Sequence, residues 1–446
     1  MSKSSRFSPN RRSVLKGLAA APLLTNKASA QSSNPDVIIV GAGIAGLQAA
    51  MSLMESGKSV VVFEAADRIG GRAYTETNSF GSPFDQGCSW INAASENPYL
   101  RLARQHGFVL VDHSGANEAF FVDGRRASEA ELAEYYASYD AIIEDLGAAG
   151  QQGVDISGSD AIKGDRKFSG VAQTWMGAMD MGVDFKNMST LDFWQGADSE
   201  PSYMVRQGLG ALAARNGADV PVQLNTPVTG VDWSGQGVVV ETASGSLPAK
   251  ACIVTVSTGV LNAGTIRFTP DLPVATQEAI DGLPMGLLAK VGLQFRGEKF
   301  GLGDNEWLTH SVPNDMPAEA CYFLTWPFGF DYMVGFVGGD FGWELSRAGE
   351  AAAIDFALNE IVKIAGSDAR KAFVKGAFTP WAENPLTLGA YAAAKPGRYK
   401  ARRDLAKPVG DRVFFAGEAL GGAHAALCSG AFFSGEDAAW NVLDVI

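Results

Sequence analysis

The segment from Asp36 to Glu64 constrains the fold of this chain more than any other. Asp36-Val37-Ile38-Ile39-Val40 reads as a short strand apolar on both faces, the pattern of a buried parallel strand. Gly41-Ala42-Gly43-Ile44-Ala45-Gly46 follows at once, a helix is expected over Leu47 to Ser56, and Gly57-Lys58 ends it before a second strand from Ser59 to Phe63. This is a complete βαβ unit with G-x-G-x-x-G at its turn. Gly41 makes the tight turn, Gly43 lets backbone N–H groups approach a pyrophosphate, and Gly46 lets helix and strand pack closely. The helix N-terminus favours phosphate charge. Glu64 closes the second strand, where a carboxylate can bind ribose hydroxyls. Strands, helix, glycines and acid together point to a bound dinucleotide.

The chain has 446 residues, room for two to three domains or one large composite one. Hydrophobic residues make up 46% and charged residues 19%, which excludes a disordered chain and permits a large core. The formal net charge is −13, and residues 1–30 hold six basic residues and no acidic one, so the remainder is more acidic still. Such a body argues against nucleic acid as a partner and suits cationic small molecules.

Asn10-Arg11-Arg12-Ser13-Val14-Leu15-Lys16, the apolar run Gly17 to Leu24 and the small-residue site Ala28-Ser29-Ala30 read as a twin-arginine signal over residues 1–30. A basic tail is the plainer alternative. The signal implies a bacterial periplasmic or secreted protein exported already folded, with its cofactor loaded. The apolar run is too short to span a bilayer, and no longer one exists, so no stable membrane insertion is expected. The cysteines Cys88, Cys252, Cys321 and Cys428 form no C-x-x-C pair, and the histidines show no ligand spacing. No metal is expected, and buried free thiols are the reading for the cysteines.

Glu64-Ala65-Ala66-Asp67-Arg68-Ile69-Gly70-Gly71-Arg72 matches the E-A-x-x-R-x-G-G-R run of a flavoprotein superfamily, which selects FAD over NAD. From this point the chain resembles the flavin-containing amine oxidases: monoamine oxidases, polyamine oxidases and their bacterial relatives. The resemblance covers most of residues 35–446. It runs through Phe84-Asp85-Gln86-Gly87-Cys88-Ser89-Trp90-Ile91, the strand Val228 to Trp233, the strand Lys250 to Ser257, and Gly286 to Phe295 around Lys290. Trp381 is followed ten residues later by Tyr391, and Arg412 to Glu418 resembles the family's R-x-F-F-A-G-E strand and turn. Gly430 to Ala439 resembles its closing helix.

The resemblance implies cofactor contacts at Gly41, Gly43, Ala45, Gly46, Glu64, Ala65, Gly70, Gly71, Arg72, Ser89, Trp90, Val228, Trp381, Gly417, Glu418 and Leu427. It implies that Lys290, Tyr391 and Trp381 serve catalysis, with Lys290 beside flavin N5, where it holds a water. A lysine in an otherwise apolar strand is costly without partners. Tyr391, Leu427 and Trp90 would line the substrate pocket. Ala390 stands where some monoamine oxidases carry the cysteine linked to the flavin, so FAD is expected to be noncovalent. The family often pairs two aromatics over the flavin. Tyr391 supplies one, but Leu427 occupies the second place, leaving Trp90, Trp194, Trp326 and Phe432 as candidates to compensate. The arginine that L-amino-acid oxidases use for the substrate carboxylate has no match in Phe84 to Ile91, although Arg206 or Arg398 could serve. Asp180, Asp184, Asp192 and Glu200 are acids of the expected substrate region, none of them singled out as a ligand.

The expected fold class is α/β, a discontinuous Rossmann-type FAD-binding domain with an α+β substrate domain. Residues 31–97, 206–284 and 381–446 are assigned to the first. Residues 98–205 are read as helices broken at Gly147 to Gly158. With 285–380, whose aromatic strands would wall the cavity, they form the second. The implied reaction is hydride transfer from an amine α-carbon to flavin N5, giving an imine that hydrolyses to aldehyde or ketone. Reoxidation would use O2, forming H2O2, or a periplasmic acceptor. A C–C desaturase or oxidase, an L-amino-acid oxidase and a non-catalytic flavin-binding protein remain alternatives at this stage.

Overall fold

Short apolar stretches far apart in sequence build the central sheet. The computed structural model describes residues 34–297, 299–315 and 319–446. The expected signal over 1–30 lies outside them. Five strands run parallel in the order Val222–Gln223, Val60–Phe63, Val37–Val40, Ala251–Val254 and Val413–Phe415. Alternation along each strand divides their side chains between two cores. Ile38, Val40, Cys252, Val254 and Phe415 enter one, and Val37, Ile39, Ala251, Ile253 and Phe414 enter the other.

The second of these cores is closed by helices Ile44–Glu55 and Cys428–Leu443. They approach at backbone contact: a Cβ on Gly435 would lie 2.3 Å from the Ala45 carbonyl oxygen. The first core is closed by a four-stranded sheet, Gly245–Ala249, Val238–Thr242, Val228–Asp232 and Arg267–Thr269.

A separate seven-stranded sheet has the order Phe373–Phe378, Leu288–Phe295, Tyr332–Gly338, Tyr322–Thr325, Glu306–His310, Glu118–Val122 and Arg125–Arg126. Ala289, Val291 and Leu293 pack beneath helices Gly339–Ala348 and Glu350–Ala365. Period-two alternation therefore turns Lys290 to the opposite face. That face carries Phe80, Phe84, Tyr332 and Phe336.

Residues 98–205 include strands as well as helices, and the expected break at Gly147 to Gly158 begins only after Gln151, with the next helix starting at Gly158. Helix Glu129–Gln151 runs straight through Gly147 and Gly150. Those glycines make room for Trp194: a Cβ at Gly150 would sit 2.2 Å from the indole Cγ. Strand Glu118–Val122 pairs parallel with Trp307–His310 and extends the large sheet. Helix Pro98–Gln105 packs Tyr99 and Leu102 with Ile44, Leu209 and Phe432. No described helix is long and apolar enough to cross a membrane.

Candidate active site

Two glycine turns meet to form a cradle. Gly41 has φ +102°, and a Cβ there would meet the Thr255 hydroxyl at 2.7 Å. A Cβ at Gly46 would lie 2.0 Å from the Gly41 carbonyl oxygen, so only glycine fits. Gly71, at φ +58°, brings its backbone against Gly43, with a Cβ position 3.1 Å from that Cα. The Gly70 N–H donates to the Ala42 carbonyl at 2.8 Å. Helix Ile44–Glu55 begins at Ala45's neighbour Ile44 with Gly43 as its cap, which has no side chain to satisfy the first N–H groups. Those donors are left for an anion. The Glu64 carboxylate accepts from Ala42 N–H at 2.6 Å and Ala66 N–H at 2.8 Å. The second bond spans Ala65, and together the two aim the acid while leaving lone pairs for hydroxyl donors. Val228 is buried in the adjoining core beside Val61 and Phe63.

Arg72 joins the early and late segments. Its guanidinium donates to Glu418 Oε1 at 2.8 Å and to the Ala390 carbonyl at 2.9 Å. Glu418 also accepts from Ala392 N–H at 3.1 Å. The two groups expected to face phosphate and ribityl chain are thus paired with each other, a charge-assisted contact at the strand-to-turn junction after Gly417. Arg72, Gly417 and Glu418 line a recess with Val254 and Val256.

Lys290 forms the second centre. It is 5% exposed. Its ammonium donates to the Asp85 carbonyl at 2.8 Å, to Ser89 Oγ at 2.6 Å and to the Gly87 carbonyl. Burial lowers its pKa to about 8, against the opposing pull of Asp85. The Asp85 carboxylate, itself pushed up by burial, caps helix Leu209–Asn216 by accepting from Leu209 N–H at 3.0 Å. Gly87 is required here: a Cβ would fall 1.6 Å from the Arg72 carbonyl oxygen and 3.5 Å from Trp381. The Trp381 indole donates to the Gln86 carbonyl at 2.8 Å, so the same short loop carries Lys290 and Trp381.

Aromatic rings lead away from the lysine. Lys290 Nζ lies 5.9 Å from the Phe336 ring centroid. Trp90 stacks on Trp307 at 5.4 Å and touches Phe336 at 5.9 Å, and Trp175 meets Trp307 edge-on at 5.3 Å. The Trp90 indole donates to His113 Nδ1 at 3.2 Å. Trp175 opens a π-helical turn, Trp175–Met181, that also carries Asp180. The neighbouring Met179 carbonyl accepts from the Tyr391 hydroxyl at 3.2 Å. Asp180 is reachable by solvent, yet the surrounding protein strips enough water to push its pKa up to about 7. Its charge is felt by Tyr391 and Tyr139, whose hydroxyls are held neutral chiefly by burial. Asp180 has no hydrogen bond or ion pair among the described residues.

Trp90 is the one compensating aromatic in this group. Trp194 is spent on Gly147 and Gly150, Trp326 is buried between Phe295 and Phe300, and Phe432 packs edge-on against Tyr99. Leu427 is half-buried just ahead of helix Cys428–Leu443. Arg206 lies over Phe330 on the surface, and Arg398 donates to the Glu278 carbonyl. Asp192 is buried against Arg402 at 2.6 Å, and Asp184 caps Asp340 N–H at 3.0 Å. Among the described residues no cluster could hold a metal ion. Trp307 and Phe336 were not legible as site residues, since nothing local distinguishes them from core, whereas Asp85 stood in a quoted motif without a role assigned to it.

The family model of flavin-containing amine oxidoreductases matches residues 44–169 and 190–443. The chain belongs to the flavin-containing amine oxidases. Polyamine oxidase 4 of Oryza sativa subsp. japonica is 30% identical over 92% of this chain and 88% of its own length. Two solved structures share the fold. One is wild-type putrescine oxidase bound to putrescine, with TM-score 0.76, 20% identity and coverage of 92% and 99% of the two chains. The other is cyclohexylamine oxidase from Brevibacterium oxydans IH-35A, with TM-score 0.74, 22% identity and the same coverage. This amine oxidase is an FAD-dependent oxidoreductase. The residues present fit FAD: an uncapped helix N-terminus, glycine contacts too close for any Cβ, and an oriented acid at the strand end.

Proposed function

We propose that this amine oxidase acts on a diamine or polyamine, a substrate with a second cationic centre beyond the reacting nitrogen. The observation that carries the proposal is Asp180, a solvent-reachable carboxylate without a cationic partner among the described residues, on the same π-helical segment as the Trp175 ring. A distal ammonium pairs with it, while the reacting amine is taken neutral. FAD, when bound, supplies the two-electron oxidation at the substrate α-carbon. Tyr391, tethered through Met179, orients the amine with Trp90 and Phe336, which exclude water. Lys290 holds a proton at Nζ, where it positions water or oxygen. The imine product hydrolyses to an aldehyde and an amine, and oxygen is the proposed acceptor, with hydrogen peroxide formed. Ala390 offers no nucleophile, so FAD is proposed to be noncovalent.

The test is anaerobic titration of the FAD-loaded protein with diamines, polyamines, monoamines and amino acids, read by visible absorption. Bleaching by di- and polyamines at lower concentration than by matched monoamines supports the proposal, and recovery in air supports oxygen. Bleaching by amino acids alone, or by no amine, overturns it. Export is proposed on the motif around Arg11 and Arg12. Fractionation of cells expressing the wild type and an Arg11→Lys/Arg12→Lys variant checks it, retention of neither in the cytoplasm counting against a twin-arginine route.

A further inference from the structure

Trp90 has one polar atom, the indole N–H, which can only donate. It donates to His113 Nδ1 at 3.2 Å. On the far side of that imidazole, Nε2 lies 3.0 Å from the Asn305 carbonyl oxygen, which can only accept. The two partners together assign the tautomer: Nδ1 keeps a lone pair and Nε2 carries the hydrogen. His113 is 6% exposed, and burial lowers its pKa from the usual histidine value, so the ring is neutral at neutral pH. A proton added at Nδ1 would set donor against donor. The imidazole is held in turn. It follows strand Leu110–Asp112, whose partner Tyr203–Val205 also pairs with Trp90–Ile91. Its backbone N–H donates to the Ser202 carbonyl at 2.9 Å, and its ring meets Trp307 edge-on at 5.6 Å. Asn305 is fixed through its side-chain oxygen, which accepts from Phe328 N–H at 2.7 Å.

We propose that His113 is a positioning residue that holds the Trp90 indole against Trp307 and Phe336, and thereby sets the apolar wall along which an amine lies. The proposal rests on the reading of Trp90 as a pocket residue. Trp90 directly follows Ser89, whose hydroxyl accepts from Lys290, and the wall runs from there over Trp307 to Trp175. Because His113 takes up the indole N–H, the Trp90 ring offers only carbon to the alkyl part of an amine. Without that acceptor the part-buried N–H is left unsatisfied, and the ring turns to find another partner. Two variants separate the hydrogen bond from mere packing. His113→Phe keeps a flat ring beside Trp307 and has no nitrogen. His113→Gln loses the ring but offers a carbonyl oxygen to Trp90 and an N–H to Asn305.

The FAD-loaded wild type, with its histidine ring nitrogens isotopically labelled, is read by NMR at neutral pH. The chain has four histidines, and the His113 signals are those missing from His113→Gln or His113→Phe. The expected result is a protonated Nε2 and a bare Nδ1. Steady-state oxidation of the amine that bleaches the flavin at the lowest concentration then gives KM and kcat. In His113→Phe, KM is expected to rise about 5-fold, the worth of one neutral hydrogen bond, with kcat moving less than KM. His113→Gln is expected to recover most of that loss. A bare Nε2, or two protonated nitrogens, in the wild type overturns the proposal. An unchanged KM in His113→Phe, or a higher KM in His113→Gln than in His113→Phe, makes His113 a packing residue and overturns it as well. The nitrogen assignment needs no substrate and the kinetics take whichever amine reacts, so failure here is separate from failure of the diamine reading.

Discussion

Lys290→Met keeps the length and apolar stem of the side chain and deletes its ammonium. Burial holds the Lys290 pKa at about 8 against 10.5 in the unperturbed side chain, which costs the folded state about 3 kcal/mol at neutral pH. The variant recovers that cost. It also removes the ammonium donor from the carbonyls of Asp85 and Gly87 and from the Ser89 hydroxyl. Each group left buried and unsatisfied costs about 1–3 kcal/mol. The two effects partly offset, so the variant is expected to lie between the wild type's stability and about 6 kcal/mol below it at neutral pH. Catalysis has no such compensation. A positioned proton-transfer group contributes about 10²–10⁴-fold, so amine-driven reduction of bound FAD, or its reoxidation in air, is expected to slow at least about 100-fold.

The sign of the pH dependence follows from the lowered value. Between about 8 and 10.5 the unfolded chain binds more protons at this lysine than the folded one, so the wild type gains stability as pH rises through that window. The variant does not. Stopped-flow absorption separates the two half-reactions, and urea unfolding at neutral pH and near pH 10 gives the stability difference. Unchanged rates in both half-reactions refute the assigned role. A stability difference that stays flat with pH refutes the burial argument.

Asp180→Asn is expected to raise KM for a diamine up to about 5-fold while leaving a matched monoamine nearly unchanged, since a solvent-reachable ion pair is lost. In the wild type kcat/KM for the diamine should rise with pH through about 7 as Asp180 ionises, and the variant should lose that limb. Gly46→Ala drives a methyl to 2.0 Å from the Gly41 carbonyl oxygen, so the turn must open and FAD should be lost on gel filtration. Arg402→Met leaves Asp192 buried without its partner and removes donors to the Ala392 and Ala419 carbonyls. A loss of about 3–5 kcal/mol by denaturant unfolding is expected, read as a lower midpoint.

The nucleotide half was legible because its signals are local. Strand, turn, helix and strand between Val37 and Phe63 follow one another without a gap, and Gly46 is demanded by the backbone of Gly41 five residues away. Glycine misled where its partner was distant. Gly147 and Gly150 look like breakers in sequence, yet they sit inside a helix because Trp194 needs their missing side chains. Strand Glu118–Val122 was hidden for a similar reason, since its pairing partner lies at Trp307–His310.

By itself, then, the amino-acid order determined the βαβ cradle, the cofactor class and the lysine-bearing strand, all of which depend on spacing within one element or its neighbour. Tertiary structure alone decided that Arg72 meets Glu418, that Trp90 stacks on Trp307 and that the Trp381 indole reaches the Gln86 carbonyl. Each of those pairings joins segments whose separation along the chain carries no information about distance. Strand register and helix packing set it, and both are properties of the closed core.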